Sequence, residues 1–407
     1  MQTEKYIEEF VKIWLGCSTE FPSLGSKYSY NEKLSCEARL EEFLKKIKRN
    51  KNRKLKPETN NSGSGKAIFP EIRTFFKSTF DFEDDHLDII FSDSYTEVTK
   101  NFIKNGERFD PNLASEDIFQ ASRNFWIINS IQSMMGMPVK LTPSIFAYSM
   151  LYPYTDNYLD NPDTTSENKV TFSQRFQQRI KGKKIIPENN DEKKIFDLIG
   201  MIEEEYDRKR YPEVYESLLA IHRGQTNSIR LLNNSNSLTE TDVLKICIEK
   251  GGASVLADGY LVTGSLTKDQ EKFLFGFGAY LQMADDIQDT GKDLKAGLLT
   301  PFSRASKHSS LDNYVSRTLN FGIKILDLIN CFDGSDPGRQ KSLIEKSTRK
   351  LIIESVGFND KFYSKSYLQE MEQYSPFRFS YLKKRKRSTS SGDLFTEVIK
   401  ESMLASG

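Results

Sequence analysis

Apolar residues recur at three- and four-residue spacing through most of the 407-residue chain, the period of helices that turn one face to a core. Between residues 4 and 16, Ile7, Phe10, Val11 and Trp14 share a face and Gly16 follows, which predicts an amphipathic helix with a glycine stop. A second helix is predicted from about Glu32 to Lys46. Ser115 opens a third, with Ile118, Ala121, Phe125 and Ile128 as its apolar positions and Gly136 at its end. Thr142 then caps a helix whose first position is Pro143. That helix reaches Asp156-Asn157-Tyr158-Leu159-Asp160, and Pro153 inside it predicts a kink just before the acids.

Helical periodicity resumes over 191–206 and from Pro212, through Val214, Leu218, Ile221 and His222, to Leu232. Thr239 with Asp242, and Thr267 with Gln270, have the form of capping boxes and open two further helices. Others are predicted near 311–331, 339–355 and 364–374. No stretch alternates with period two, so the expectation is an all-α chain with almost no sheet.

Three segments break the pattern. Residues 45–66 are first basic and then Ser-Gly rich, and read as a solvated linker. Residues 161–190, interrupted by Pro162, Gly182 and Pro187, read as a long mobile connection carrying Arg175, Arg179, Lys181, Lys183 and Lys184. Lys383-Lys384-Arg385-Lys386-Arg387 reads as part of a solvated basic tail. The acidic run Asp81 to Asp85 with His86 is read as the charged start of a helix. The expected organisation is a helical N-terminal extension over 1–110, a helical bundle over 111–375 and a basic tail over 376–407.

Composition narrows the classes. Lys+Arg total 58 against 57 Asp+Glu, a net charge of +1, so no global field favours nucleic acid or a membrane surface. The longest near-apolar run, Phe273 to Ala284, is too short to span a bilayer, and the first residues lack the pattern of a signal peptide. Four cysteines without a CxxC pair argue against a disulfide framework and fit a reducing compartment. A cytoplasmic protein is expected, with a homodimer as the candidate assembly.

The chemistry concentrates where the apolar run from Phe273 leads into Asp285, Asp286 and Asp289, and then Asp293. On a helix, Asp285, Asp289 and Asp293 fall on one side, where like charges repel unless a cation joins them. Asp156 and Asp160 repeat the four-residue spacing. Clustered carboxylates suit Mg2+, which takes one or two of them and keeps positions open for phosphate oxygens, so two facing acidic helix ends are expected to hold several ions around a diphosphate. Gly276 and Gly278, each costing a helix roughly 1 kcal/mol against alanine, make room either for a ligand chain or for a closely packed neighbour. Cavity candidates by helical spacing are Ile145, Ser149 and Tyr152 on one helix, and Leu274, Phe275, Gly278, Leu281 and Gln282 on the other.

Leu281-Gln282-Met283-Ala284-Asp285-Asp286-Ile287-Gln288-Asp289 resembles the second aspartate-rich motif of trans-isoprenyl diphosphate synthases. Asp156-Asn157-Tyr158-Leu159-Asp160 resembles their first DDxxD motif, with Asn157 in the second place. Lys250-Gly251-Gly252 resembles their Lys-Thr-Gly/Ala element, whose lysine binds diphosphate. The likeness covers 111–375 and implies the class I isoprenoid synthase fold, a helical bundle around a central active-site cavity. It implies an enzyme that ionises an allylic prenyl diphosphate. Asp156, Asn157, Asp160, Asp285, Asp286 and Asp289 are the metal-ligand candidates and Mg2+ is the cofactor, three ions in all. Substrate-binding candidates are Lys250, Gln282, Tyr152, Arg123, Arg223 and Gln225. For Arg223 and Gln225 a pocket role and a polar packing network stay equally open, and His222 reads as a satisfied core histidine.

Chain-elongating members also bind isopentenyl diphosphate, through a Gly-Gly-Lys-Arg-like segment and an Arg-Arg-Gly just after the first motif. Neither is present here: Arg123 stands at a suitable distance but in Ala-Ser-Arg-Asn, and Asn161-Pro162-Asp163 follows the first acids. This favours a one-substrate terpene synthase or cyclase, with a prenyltransferase as the alternative. A non-catalytic partner subunit is disfavoured by the intact acid pairs. Substrate length, product skeleton and the role of residues 1–110 are left open by the sequence.

Overall fold

The two central helix starts in this chain are set by hydroxyl side chains. Thr239 and Thr267 each accept a backbone N–H three residues on, while Asp242 and Gln270 reach back to them, so two of the amide donors orphaned at each start are satisfied. The computed structural model describes residues 2–54, 69–160, 164–232, 238–334, 336–386 and 398.

The N-terminal helices are α1 (Thr3–Leu15), α2 (Tyr30–Lys54), α3 (Phe69–Phe80), α4 (Asp84–Ile90) and α5 (Asp93–Phe109). The central ones are α6 (Ser115–Met134), α7 (Pro143–Asp160), α8 (Ser166–Ile180), α9 (Asn190–Glu205) and α10 (Pro212–Ser228). After them come α11 (Glu240–Thr263), α12 (Lys268–Ala296), α13 (Pro301–Ala305) and α14 (Asp312–Leu326). The chain closes with α15 (Pro337–Phe358), α16 (Lys365–Glu372) and α17 (Phe379–Lys386). Among the described residues the only β pairing is one isolated bridge between Leu232 and Leu298, so the fold is all-α. No described helix is long and apolar enough to cross a membrane.

α11 and α12 form the centre, antiparallel and joined by a turn at Gly264, which has φ +76°. α10, α7 and α6 pack around α11, and α14 and α15 around α12. α1 lies on the same pair: the Tyr6 hydroxyl donates to Glu271 at 2.9 Å, Trp14 Nε1 donates to Thr318 at 3.2 Å, and Phe10 packs on Phe275 and Phe321. One hydrophobic core therefore contains residues from both sides of position 110.

Three expectations are corrected. Residues 166–180 are not a loose connection but helix α8, because Phe172, Phe176 and Ile180 form a buried stripe at four-residue spacing. Its basic residues are held in place: Arg175 pairs with Glu192 at 2.6 Å and Arg179 with Glu203 at 2.6 Å. The basic half of the expected linker continues α2 as far as Lys54; the Ser-Gly half lies outside the described residues. The basic tail begins with α17, whose Leu382 is fully buried and whose Arg385 pairs with Glu41 at 3.0 Å.

Candidate active-site cleft

The α11–α12 contact is built on glycines, and this decides what Gly276 and Gly278 are for. A Cβ on Gly278 would lie 2.1 Å from the Gly251 carbonyl oxygen, and one on Gly276 would lie 2.6 Å from the Phe10 ring. Gly252 receives the Phe275 ring, and Gly259 receives Leu274, at equally close range. These glycines serve helix packing, and Leu274 and Phe275 fill the helix interface. The close approach sets Lys250 of α11 beside Gln282 of α12.

Beside that pair opens a cleft with about 730 Å³ of empty space, part of it open to solvent. Its walls are Asn124 from α6, Tyr148, Tyr152 and Thr155 from α7, Phe176 and Ile180 from α8, and Ile199 from α9. α10 contributes Leu218, Ile221, His222 and Gln225, α11 Lys250 and Ser254, and α12 Gln282 and Asp285. The polar groups Gln225, Lys250, Gln282 and Asp285 gather at one end. Leu218 stands seven residues before Gln225 on α10, about 10 Å deeper at the helical rise. A polar mouth over an apolar body is the shape a molecule with a charged head and a hydrocarbon tail requires.

Charge at the mouth is concentrated on α12. Asp285 is half exposed, with Arg123 of α6 opposite at 3.9 Å. Burial against the helical wall raises its pKa, Arg123 opposes the shift, and Asp289 adds to it. Asp286 is almost fully buried and accepts from Gln282 Nε2 at 2.8 Å. Burial, only partly offset by that bond, pushes its carboxyl up to about 7. Asp293 is pushed up to about 8 by burial and then by Asp286, Asp289 and Asp285. Asp289 is held by Lys292 at 3.3 Å.

This acid row fits a hard cation. Asp286 Oδ2 is buried without a hydrogen-bond partner, and the neighbouring carboxyls destabilise one another's charge, a conflict that a divalent ion removes. Among the described residues no three acidic, histidine or cysteine side chains converge on a single point, so an ion at α12 would draw ligands from elsewhere as well. The side chains of Asp156, Asn157 and Asp160 lie outside the described residues; their backbone forms the last turn of α7. That turn is placed against α12: Thr155 lines the cleft with Asp285, and Leu159 lines a neighbouring hollow with Lys250, Gln282 and Asp286.

Of the other residues expected in the site, Tyr152, Gln225, Gln282 and Lys250 line the cleft, and Arg123 stands at its mouth through Asp285. Arg223 is not brought to it. Its guanidinium is bound to Glu249 at 2.7 Å and to Thr3 at 2.8 Å on the outer side of α10, so for Arg223 the packing network is what forms. Ser149 is fully buried, with Asn124 Nδ2 at 3.4 Å from its hydroxyl.

No family model and no curated protein matches the chain. Among solved structures it is similar to geranylgeranyl pyrophosphate synthetase from Pyrococcus horikoshii Ot3, with TM-score 0.34 and 15% identity over 79% of this chain and 99% of that one. It is also similar to a decaprenyl diphosphate synthase from Rhodobacter capsulatus, with TM-score 0.34 and 12% identity over 74% of this chain and 99% of that one. A third is geranylgeranyl pyrophosphate synthase from Corynebacterium glutamicum complexed with calcium and isoprenyl diphosphate, with TM-score 0.31 and 11% identity over 71% of this chain and 96% of that one. All three are prenyl diphosphate synthases; at these TM-scores the likeness carries no functional argument, which rests on the cleft.

One part of the cleft wall, and one buried carboxyl bonded to that wall, escape the sequence reading. Phe176 and Ile180 of α8 form part of its wall, and their four-residue spacing was the available signal. Asn124 Nδ2 donates to Asp258 at 3.1 Å. Asp258 is fully buried, its second oxygen has no partner, and burial raises its pKa well above the usual carboxylate range. Nothing in the local sequence around Asp258 marks it.

Proposed function

We propose that this protein binds an allylic prenyl diphosphate in the cleft and, with Mg2+, ionises it to a carbocation and diphosphate. The observation that carries the reading is the joint lining of one cavity by Thr155 and Tyr152 of α7, Lys250 of α11, and Gln282 and Asp285 of α12, with hydrocarbon walls beneath them. Asp285 and Asp289, facing the α7 turn of Asp156 and Asp160, would hold the metal. Bound there, Mg2+ neutralises charge on the leaving diphosphate. Lys250 adds a point charge for the same group, and Gln282 orients Asp286 through its amide. Phe176, Tyr148 and Tyr152 offer ring faces to a cation, and the apolar walls exclude water that would capture it.

The cation then has two fates. Prenyl transfer, in which isopentenyl diphosphate attacks it, is favoured by Arg123, which puts a second basic side chain at the mouth from α6. A one-substrate terpene synthase is favoured by the missing basic motifs. Incubation with Mg2+ and C10, C15, C20 or C25 diphosphate, with and without isopentenyl diphosphate, separates them by product mass. Longer diphosphates formed only with isopentenyl diphosphate establish prenyl transfer; a hydrocarbon or alcohol formed without it establishes the synthase. Absence of diphosphate release in every tube overturns the proposal.

A further inference from the structure

His222 stands between two cavities. On one side is the cleft; on the other is an outer groove with about 1180 Å³ of empty space, lined among others by Ser173, Gln177, Lys181 and Thr226. The side chain is almost wholly buried, and Phe176 meets its ring edge-on at 5.2 Å between centroids.

The hydrogen bonds around it assign its tautomer. The Thr226 hydroxyl donates to the His222 carbonyl at 2.9 Å, so its oxygen is left to accept from the Ser173 hydroxyl at 2.9 Å. Ser173 Oγ, its own proton committed, accepts at 3.3 Å from His222 Nε2–H. The basic lone pair is thereby placed on Nδ1. Burial holds the imidazole down at about 4, so at neutral pH it is uncharged. Among the described residues lining the cleft the other base is the Asp285 carboxylate, which stands with the metal-ligand candidates.

Resting on the carbocation reading of the cleft, we propose that His222 is the catalytic base that ends the reaction. Nδ1 takes a proton from the carbon beside the cationic centre, and the electron pair of the broken C–H bond becomes the new C=C bond. The imidazolium then gives its Nδ1 proton to the diphosphate released in the same reaction or to water that enters as the product leaves, which restores the Nε2–H tautomer held by Ser173. A weak base is sufficient because protons next to a carbocation are strongly acidic, and a base uncharged at neutral pH is always ready to accept one. Prenyl transfer and the formation of a terpene hydrocarbon both end with this proton loss, so the role is common to them.

The test compares wild type with His222→Gln and Ser173→Ala on the prenyl diphosphate that wild type turns over, with Mg2+ and, where needed, isopentenyl diphosphate. Diphosphate release and product identity are measured together. For His222→Gln the products are counted per diphosphate released, because His222 also lines the cleft in which ionisation takes place. The variant's olefin fraction should fall about tenfold in favour of water-captured alcohol or a displaced double bond. Ser173→Ala should move the products the same way, less far. A folded His222→Gln with wild-type products overturns the proposal and leaves the departing diphosphate as the base. If His222→Gln does not fold, unchanged products from Ser173→Ala overturn it. If wild type itself releases no diphosphate, the carbocation reading falls and the role of His222 with it.

Discussion

Gly251 and Gly278 meet backbone to backbone: a Cβ on Gly251 would lie 2.5 Å from the Gly278 carbonyl oxygen, and one on Gly278 would lie 2.1 Å from that of Gly251. No flexible side chain stands there to give way. Gly278→Ala is therefore expected to lower stability by roughly 1–3 kcal/mol, the usual cost of overpacking, and to lower activity by displacing Lys250 from Gln282. At Gly200 in α9 the nearest atom to a Cβ is the tip of Arg179, 4.0 Å away. Gly200→Ala should gain about 1 kcal/mol, as alanine does in an unobstructed helix. Urea midpoints of the two variants should move in opposite directions; movement in the same direction would refute the packing role.

The acid row should make the protein respond to Mg2+ in the absence of substrate. Asp286 and Asp293 are raised to about 7 and about 8 in the folded chain, chiefly by burial, so without metal their burial weakens the fold at pH 8 and the weakening fades as pH falls toward 4. Adding Mg2+ at pH 8 is expected to raise the melting temperature, and by more than at pH 6, where protons compete for the same oxygens. Asp289→Asn should remove most of the Mg2+ shift while leaving the metal-free protein as stable as wild type or slightly more so. Equal melting temperatures with and without millimolar Mg2+ at pH 8 would contradict the metal assignment.

His222 contributes a slope of the opposite sign. Its folded value of about 4 lies below the ordinary 6.5, so the unfolded chain takes up this proton first as pH falls. Stability is lost between pH 6.5 and 4 and levels off below, by up to roughly 3 kcal/mol for this residue. The difference in unfolding free energy between His222→Gln and wild type should therefore shift in favour of the variant between pH 7 and pH 4.5. A difference that is constant over that range would show that the histidine is not held neutral by burial.

How far the sequence carried depended on where the cause lay. Capping residues act within four positions, so the starts of α11 and α12 were legible at Thr239 and Thr267. Apolar periodicity likewise gave α1, α9 and α10. Helix α8 was hidden because its Arg175 and Arg179 look like solvated charge, and only the fold supplies Glu192 and Glu203, from a different helix, to hold them. Arg223 could not be assigned between a pocket role and a packing network for the related reason that its partners Glu249 and Thr3 come from distant parts of the chain. Gln282 and Asp285 could be placed on neighbouring positions of one helix from their spacing and Lys250 was singled out by the resemblance of Lys250-Gly251-Gly252; all three line the cleft. Whether a glycine admits a ligand or a helix cannot be read locally, since the answer is the identity of the neighbour.

The depth of the cleft should set the length of the hydrocarbon it takes. Leu218 is about 98% buried and lies some two helical turns below Gln225. Leu218→Ala removes side-chain volume from the apolar body at a cost in stability of about 2–4 kcal/mol. The variant is expected to shift turnover toward the next longer prenyl diphosphate, read as the ratio of kcat/KM for two neighbouring chain lengths. An unchanged ratio would mean that the chain does not reach α10 at this depth.

Lys250 and Arg123 separate the two fates of the cation. Lys250 lines the cleft beside Gln282 and Asp285, so it should serve the diphosphate that departs. Lys250→Ala is expected to weaken the allylic substrate, with kcat/KM falling roughly 10- to 100-fold, the value of one hydrogen bond to a charged group. Arg123 stands at the mouth, 3.9 Å from Asp285 and 44% exposed at its side chain, where a second diphosphate would approach. If prenyl transfer is the reaction, Arg123→Ala should raise KM for isopentenyl diphosphate by more than KM for the allylic substrate, because the second substrate loses a direct contact while the allylic one feels only the change at Asp285. In a one-substrate synthase the same variant has no second KM to change, and its effect should fall on the allylic substrate alone, through loss of the positive charge that steadies Asp285.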